Sequence, residues 1–152
     1  MRLALYQPDI PQIAGALMRL CACLGVAMDV IEPCGFLLSN RNFRRAGMDY
    51  LAHLDLTRHA SWETFRAGAP GRLVLLTTKA STPYFAFPFV PSDTILLGRG
   101  SAGVPQEVHQ AADTRLVIPM RKGMRSLNVA QAAAMVLGEA LRQTALFPEP
   151  AA

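Results

Sequence analysis

The chain has 152 residues, 51% hydrophobic and 17% charged, a balance that supports one domain with a substantial core and excludes an intrinsically disordered segment. Fifteen Lys and Arg against eleven Asp and Glu give a formal charge of +4, which fits a solvated basic surface as well as an anionic partner. The basic residues are mostly Arg, whose planar guanidinium suits bidentate contact with phosphate.

Residues 3–6 read as a strand, and the turn at Pro8 and Pro11 leads into a helix over residues 13–24. A second strand over residues 26–31 is closed by Pro33 and Gly35. A short basic helix follows over residues 42–46, then a strand near residues 50–56, then a short helix opened by Ser61 and Thr64. Residues 73–77, 95–98 and 115–118 are short apolar strands. The last helix is expected to open at Ser126, whose hydroxyl can cap free N–H groups, and to run to about Leu146 before Phe147 and Pro148. Strands alternating with helices predict an α/β fold: one domain over residues 1–152, with a parallel sheet flanked by helices. The last helix is rich in small residues (Ala130, Ala132, Ala133, Ala134, Gly138 and Ala140). With apolar residues on more than one face, it is expected to bury one side in the chain and another against a second subunit, making a homodimer.

Three cysteines, Cys21, Cys23 and Cys34, do not form a paired framework, which points to a reducing, cytoplasmic setting. Cys21 and Cys23 are spaced Cys-x-Cys with no His cluster nearby, so buried apolar roles are expected and a metal site is not. Pro8, Asp9 and Pro11 interrupt the start of the chain before any signal-like apolar run. Residues 129–141 are too few to span a bilayer and include Gln131 and Glu139, so no membrane partner is expected.

Gly98-Arg-Gly100-Ser-Ala-Gly103 satisfies the Gly-x-Gly-x-x-Gly pattern of dinucleotide-binding loops. That chemistry needs an acidic residue about twenty positions on to hold ribose hydroxyls. Residues 118–124 contain no Asp or Glu, and Pro105 interrupts the entry into the following helix. A nucleotide-dependent oxidoreductase is therefore the weaker reading.

Three segments in order account for more residues: Leu75-Leu-Thr-Thr-Lys79, Leu96-Leu-Gly-Arg-Gly-Ser-Ala-Gly-Val-Pro105, and Ile118-Pro-Met followed by Ser126-Leu-Asn-Val-Ala130. Together they resemble the SpoU/SPOUT superfamily of methyltransferases. Upstream, Leu5-Tyr-Gln-Pro-Asp-Ile-Pro11, Arg19-Leu-Cys-Ala22, Ile31-Glu-Pro33, Arg44-Arg-Ala-Gly-Met-Asp-Tyr50 and Thr57-Arg-His59 have the spacing of one subgroup. That subgroup is the tRNA (cytidine/uridine) 2'-O-methyltransferases of the wobble nucleotide. The resemblance implies a C-terminal trefoil knot, tRNA as partner and S-adenosylmethionine as cofactor. It implies that Leu76, Gly98, Ile118 and Ser126 hold the cofactor. It also assigns the central catalytic role to Arg19, read here as holding a substrate phosphate and stabilising a developing alkoxide, because a guanidinium is a very weak base. Asn128 joins it as a candidate through its amide, with local capping of the helix start as the alternative. Arg41, Arg44, Arg45 and Arg58 with His59, and Arg121, Lys122 and Arg125, are candidate contacts to tRNA phosphates.

The first family motif usually reads Asn-x-Gly-Asn-x-x-Arg; here it is Ile13-Ala-Gly-Ala-Leu-Met-Arg19. Gly100 stands where the second motif has Glu. Two amides and a carboxylate are thus replaced. Two readings follow: an active tRNA 2'-O-methyltransferase, and a catalytically impaired relative that still binds RNA or cofactor.

Overall fold

Parallel strands with no solvent-facing side need apolar residues at successive positions, and the first strand has them. In β1 (Arg2–Tyr6), Leu3 and Leu5 enter one core while Ala4 and Tyr6 enter the other. The computed structural model describes residues 1–38, 50–69, 71–99 and 102–151. After β1 come α1 (Pro11–Leu24), β2 (Ala27–Ile31), a 3-10 turn (Leu51–His53), β3 (Leu56–His59) and α2 (Trp62–Gly68). Then follow β4 (Leu73–Leu76), β5 (Thr82–Pro83), a second 3-10 turn (Tyr84–Ala86), β6 (Thr94–Leu97), α3 (Gln106–Ala111), β7 (Thr114–Val117) and α4 (Val129–Thr144). The seven strands form one sheet in the order β3-β2-β1-β6-β4-β7-β5, and every pairing is parallel.

The helices divide between the two faces. Leu17, Met18 and Cys21 of α1 pack with Ala133, Val136, Leu137 and Leu141 of α4 over Leu3, Leu5, Val30 and Ile95. On the other face, Trp62 and Phe65 of α2 and Val108 of α3 cover Ala4, Tyr6, Ile31 and Leu96. Local chemistry sets the ends. Pro11 occupies the first turn of α1, where its missing N–H leaves no hydrogen bond unmade, and Gly25 closes the helix at φ 67. The Ser61 hydroxyl accepts the Thr64 N–H at 3.1 Å and starts α2. Asp93, fully buried, receives Arg72 at 2.7 and 2.8 Å and the Val90 N–H at 2.8 Å, tying β4 to the start of β6.

Four expectations need correction. The strand near residues 50–56 is a 3-10 turn followed by β3 (Leu56–His59). Leu51 and Leu54 pack inward from the turn, and the polar Thr57 and Arg58 are tolerated because β3 is an edge strand. The last helix opens at Val129 with Asn128 as its cap, not at Ser126. It stops at Thr144, where Ala145 adopts a left-handed backbone of φ 56. Cys23 is exposed rather than buried, whereas Cys21 is buried. The expected helix over residues 42–46 lies outside the described residues.

Candidate functional site

The carboxyl ends of β4, β6 and β7 lie side by side because these strands are adjacent and parallel. Chain leaving the strands there opens a cleft of about 300 Å³. This is the edge of an open parallel sheet at which ligands ordinarily bind. Leu76 from the end of β4, Gly98 from the end of β6 and Ile118 just past β7 all line it, and Ser126 lines it from the segment before α4. The four residues named for the cofactor are therefore neighbours around one cleft, although they are up to fifty positions apart in sequence. Leu97, Leu127 and Val129 add apolar wall; Thr77, Thr78, Lys79 and Gln106 add polar groups.

Gly98 has a reason for its small size within the chain itself. A Cβ there would lie 2.8 Å from the backbone C and Cα of Gly103. The Arg99 N–H donates to the Gly103 carbonyl at 3.1 Å, and the Gly103 N–H returns to the Arg99 carbonyl at 3.3 Å. The loop thus closes on itself in front of the cleft, with Gly103 at φ 67. The loop's own closure therefore requires glycine at position 98.

Arg19 is exposed on α1 and does not line the cleft. Its guanidinium lies 4.8 Å from the centroid of the Tyr50 ring, a contact worth about 0.5–1 kcal/mol at an exposed site. The N-terminal half of α1 does approach the cleft wall: Ile13, Ala14 and Leu17 border a small cavity together with Gly98 and Val129. Arg19 is about 9 Å further along the helix than Ile13.

Asn128 caps α4, its side-chain oxygen accepting the Ala130 N–H at 2.8 Å. The alternative reading of this residue, local capping, is thus present in the fold. Asn128→Ala is expected to cost about 1 kcal/mol of stability, measured by urea unfolding. Asn128→Ser keeps a capping oxygen and should recover most of it; equal losses in the two variants would deny the cap its importance.

Among the candidate phosphate contacts, Arg121, Lys122 and Arg125 are exposed on the segment that also supplies Met120 and Ser126 to the cleft, so they form a positive rim. Arg58 is exposed but engaged with Glu32 at 2.8 Å. His59 is turned inward, its Nε2 on buried Asp29 at 2.8 Å, where Arg2 also binds at 2.8 and 3.0 Å. It serves the sheet edge rather than a phosphate. Arg41, Arg44 and Arg45 lie outside the described residues.

Sequence reasoning named neither Arg99 nor His109, and both line the cleft. Arg99 stood in plain view between two glycines of the quoted loop; His109 carried no signal beyond its place on the helix after that loop. Burial pushes the Cys21 thiol up to about 12 and Cys34 up to about 11. It also raises Tyr6, against the opposing pull of Arg99. None of these three supplies an anionic base at neutral pH. Among the described residues no group of three metal-ligating side chains occurs, and no helix is long and apolar enough to cross a membrane.

Comparison with known proteins gives this arrangement relatives. The model of the SpoU rRNA Methylase family matches residues 1–138. A tRNA (cytidine(34)-2'-O)-methyltransferase of Beijerinckia indica subsp. indica is 65% identical over 144 residues, 93% of this chain and 90% of that protein. A structure solved for insight into 2-OH methylation of C/U34 on tRNA superposes with a TM-score of 0.89 at 40% identity, covering 93% of this chain and 94% of the other. The SpoU methyltransferase AviRb from Streptomyces viridochromogenes, in complex with the cofactor AdoMet, superposes with a TM-score of 0.82 at 27% identity, covering 94% of this chain and 60% of that one.

Proposed function

The chain belongs to the SpoU rRNA methylase family, and from that membership we propose that it methylates the ribose 2'-hydroxyl of the wobble cytidine or uridine of tRNA, with S-adenosylmethionine as donor. The observation that carries the reading is the convergence of Leu76, Gly98, Ile118 and Ser126 on one cleft. It is supported by near full-length similarity to tRNA (cytidine(34)-2'-O)-methyltransferases. The cleft fits such a cofactor: its walls are apolar where strand ends meet, and polar side chains from Thr77, Thr78, Lys79, Arg99, Gln106 and Ser126 stand around them. We further infer the trefoil knot of the superfamily in the C-terminal half, and a cytoplasmic enzyme.

When bound, S-adenosylmethionine supplies a methyl group on a positively charged sulfur. The chain's own work is placement and charge. Leu76 and Ile118 form the walls, Gly98 keeps the loop closed, and Ser126 places a hydroxyl at the edge. A ribose hydroxyl is a poor nucleophile, so holding it in line contributes much of the rate. Arg19, outside the cleft, would hold a substrate phosphate and stabilise negative charge developing on the hydroxyl oxygen. Asn128, at the start of α4, would hold the rim in register. The rim of Arg121, Lys122 and Arg125 would track the tRNA backbone, with Arg41, Arg44, Arg45 and Arg58 as further phosphate contacts.

The active unit in this reading is a homodimer. One side of α4 is buried in the chain, while Ala134 and Met135 remain exposed. Light scattering should return twice the chain mass of 16.5 kDa; a monomer mass at working concentration would remove the α4 interface.

The test is transfer of a labelled methyl group from S-adenosylmethionine to unmodified tRNA, with the modified nucleotide mapped. Label on the ribose of the wobble pyrimidine is the expected outcome. No label from a folded sample would favour the impaired, RNA-binding relative. Gly100→Glu, restoring the family's carboxylate, should raise the rate; an unchanged rate would show that Gly100 is tolerated.

A further inference from the structure

We propose that Arg99 is the residue that reads the amino-acid end of the cofactor, binding its carboxylate inside the cleft; the inference rests on the methyl-donor reading above. Among the described residues the cleft lining includes Lys79, Arg99 and His109 but no Asp or Glu. A ligand with a carboxylate therefore meets two positive side chains there, Lys79 and Arg99, and no opposing one. Lys79 is exposed and its ammonium can remain hydrated. Arg99 is half-buried, and its side chain is aimed from two sides: Nη2 donates to the Gln7 side-chain oxygen, and the guanidinium carbon lies 5.8 Å from the Tyr6 ring centroid.

Among the described residues, only the Nη2 of this oriented group has a protein hydrogen-bond partner. The Nε of Arg99 is buried and has no hydrogen-bond partner. Leaving a buried donor unpaired is costly, and an oxyanion against the remaining N–H groups of the same guanidinium offsets that cost with charge-assisted hydrogen bonds. A second observation points the same way. Gln7, which holds Arg99, has a left-handed backbone at φ 42, an unfavourable conformation for a residue with a side chain. Such strain persists where surrounding contacts over-determine it, and it concentrates at ligand clamps. The Gln7 N–H is fixed by the Ile31 carbonyl at 2.8 Å, so the end of β1 serves as the mount for Arg99. Because Arg99 directly follows Gly98, one loop would present backbone to the nucleoside and a cation to the amino-acid arm.

The inference is separable from the cofactor reading by comparing two nucleosides by calorimetry. S-adenosylhomocysteine has the carboxylate; 5'-methylthioadenosine lacks the whole amino-acid arm. Arg99→Gln should weaken S-adenosylhomocysteine at least tenfold and change 5'-methylthioadenosine less than twofold, the second result also reporting an intact cleft. Arg99→Lys, which keeps the charge but not the planar donor set, should recover part of the loss. Equal weakening of both ligands would make Arg99 a support of the loop and overturn the assignment. Unchanged S-adenosylhomocysteine with weakened tRNA binding would overturn it in favour of a phosphate contact. If the unsubstituted protein bound neither nucleoside, the methyl-donor reading itself would fall along with the inference.

Discussion

Replacing Arg19 with alanine is expected to lower methyl transfer by about 10³-fold, roughly 4 kcal/mol of transition-state stabilisation, while leaving affinity for S-adenosylhomocysteine within about twofold. The separation of effects follows from position. Arg19 is exposed on α1 and contributes nothing to the cleft lining, so removing it leaves the cofactor walls untouched. Its described contact is with the face of Tyr50, which can steady the guanidinium while leaving its N–H groups available. Arg19→Lys should fall between the two, because an ammonium keeps the charge but cannot present a planar pair of donors. Single-turnover transfer and calorimetry on the same preparations check the split. Parallel loss of transfer and cofactor binding would make Arg19 structural.

Gly98→Ala is expected to reduce S-adenosylhomocysteine affinity by about ten- to a hundredfold, through the loop rather than through direct obstruction. The added methyl would sit 2.8 Å from Gly103 backbone atoms, which cannot rotate away as a side chain can. Overpacking of this kind costs about 1–3 kcal/mol, and for a chain of this size it should lower the melting temperature by roughly 3–10 °C. Relief requires opening the paired hydrogen bonds between Arg99 and Gly103, which moves a wall of the cleft and the mount of Arg99 together. Calorimetry and a melting curve read the two effects separately. Normal affinity in a stable variant would mean that the loop has another closed form and that Gly98 is not required.

The architecture was legible because parallel strands buried on both faces are short apolar runs, and Leu73 to Leu76 and Thr94 to Leu97 are of that kind, while Thr114 to Val117 shows the pattern only at Leu116 and Val117. The edge was not. Thr57 and Arg58 carry no apolar signal, and β3 exists because its backbone pairs with Met28 to Ile31. The two-residue β5, with a proline in it, is likewise a product of register and has no pattern of its own. Ser126 and Asn128 both suit a helix cap; which one caps depends on where the chain leaves the cleft, a tertiary matter. At the site, family motifs led to the four cleft residues, whereas Arg99 and the strained Gln7 emerge only when β1 and the loop after β6 are set side by side. The inward contact of His59 was not legible for the same reason: its partner, Asp29, is thirty residues away in sequence.

The strand order also governs how the chain can be made. β6 lies between β1 and β4, with Arg2 beside Thr94 across ninety-two positions of sequence (94 − 2). Until that late strand is available, β1 and β4 each have an unpaired edge, and neither half of the sheet is continuous with the other. Contacts of such long range are slow to form, and exposed strand edges invite pairing with other chains. Assembly of the cleft therefore falls late, when β6 inserts with Gly98 and Arg99 and β7 follows with Ile118. A nascent chain stalled before Thr94 would have no cleft to bind cofactor, a free edge on β1 and, with β7 also unmade, both edges of β4 unpaired, so aggregation during synthesis and completion of the binding site are tied to the same late strands.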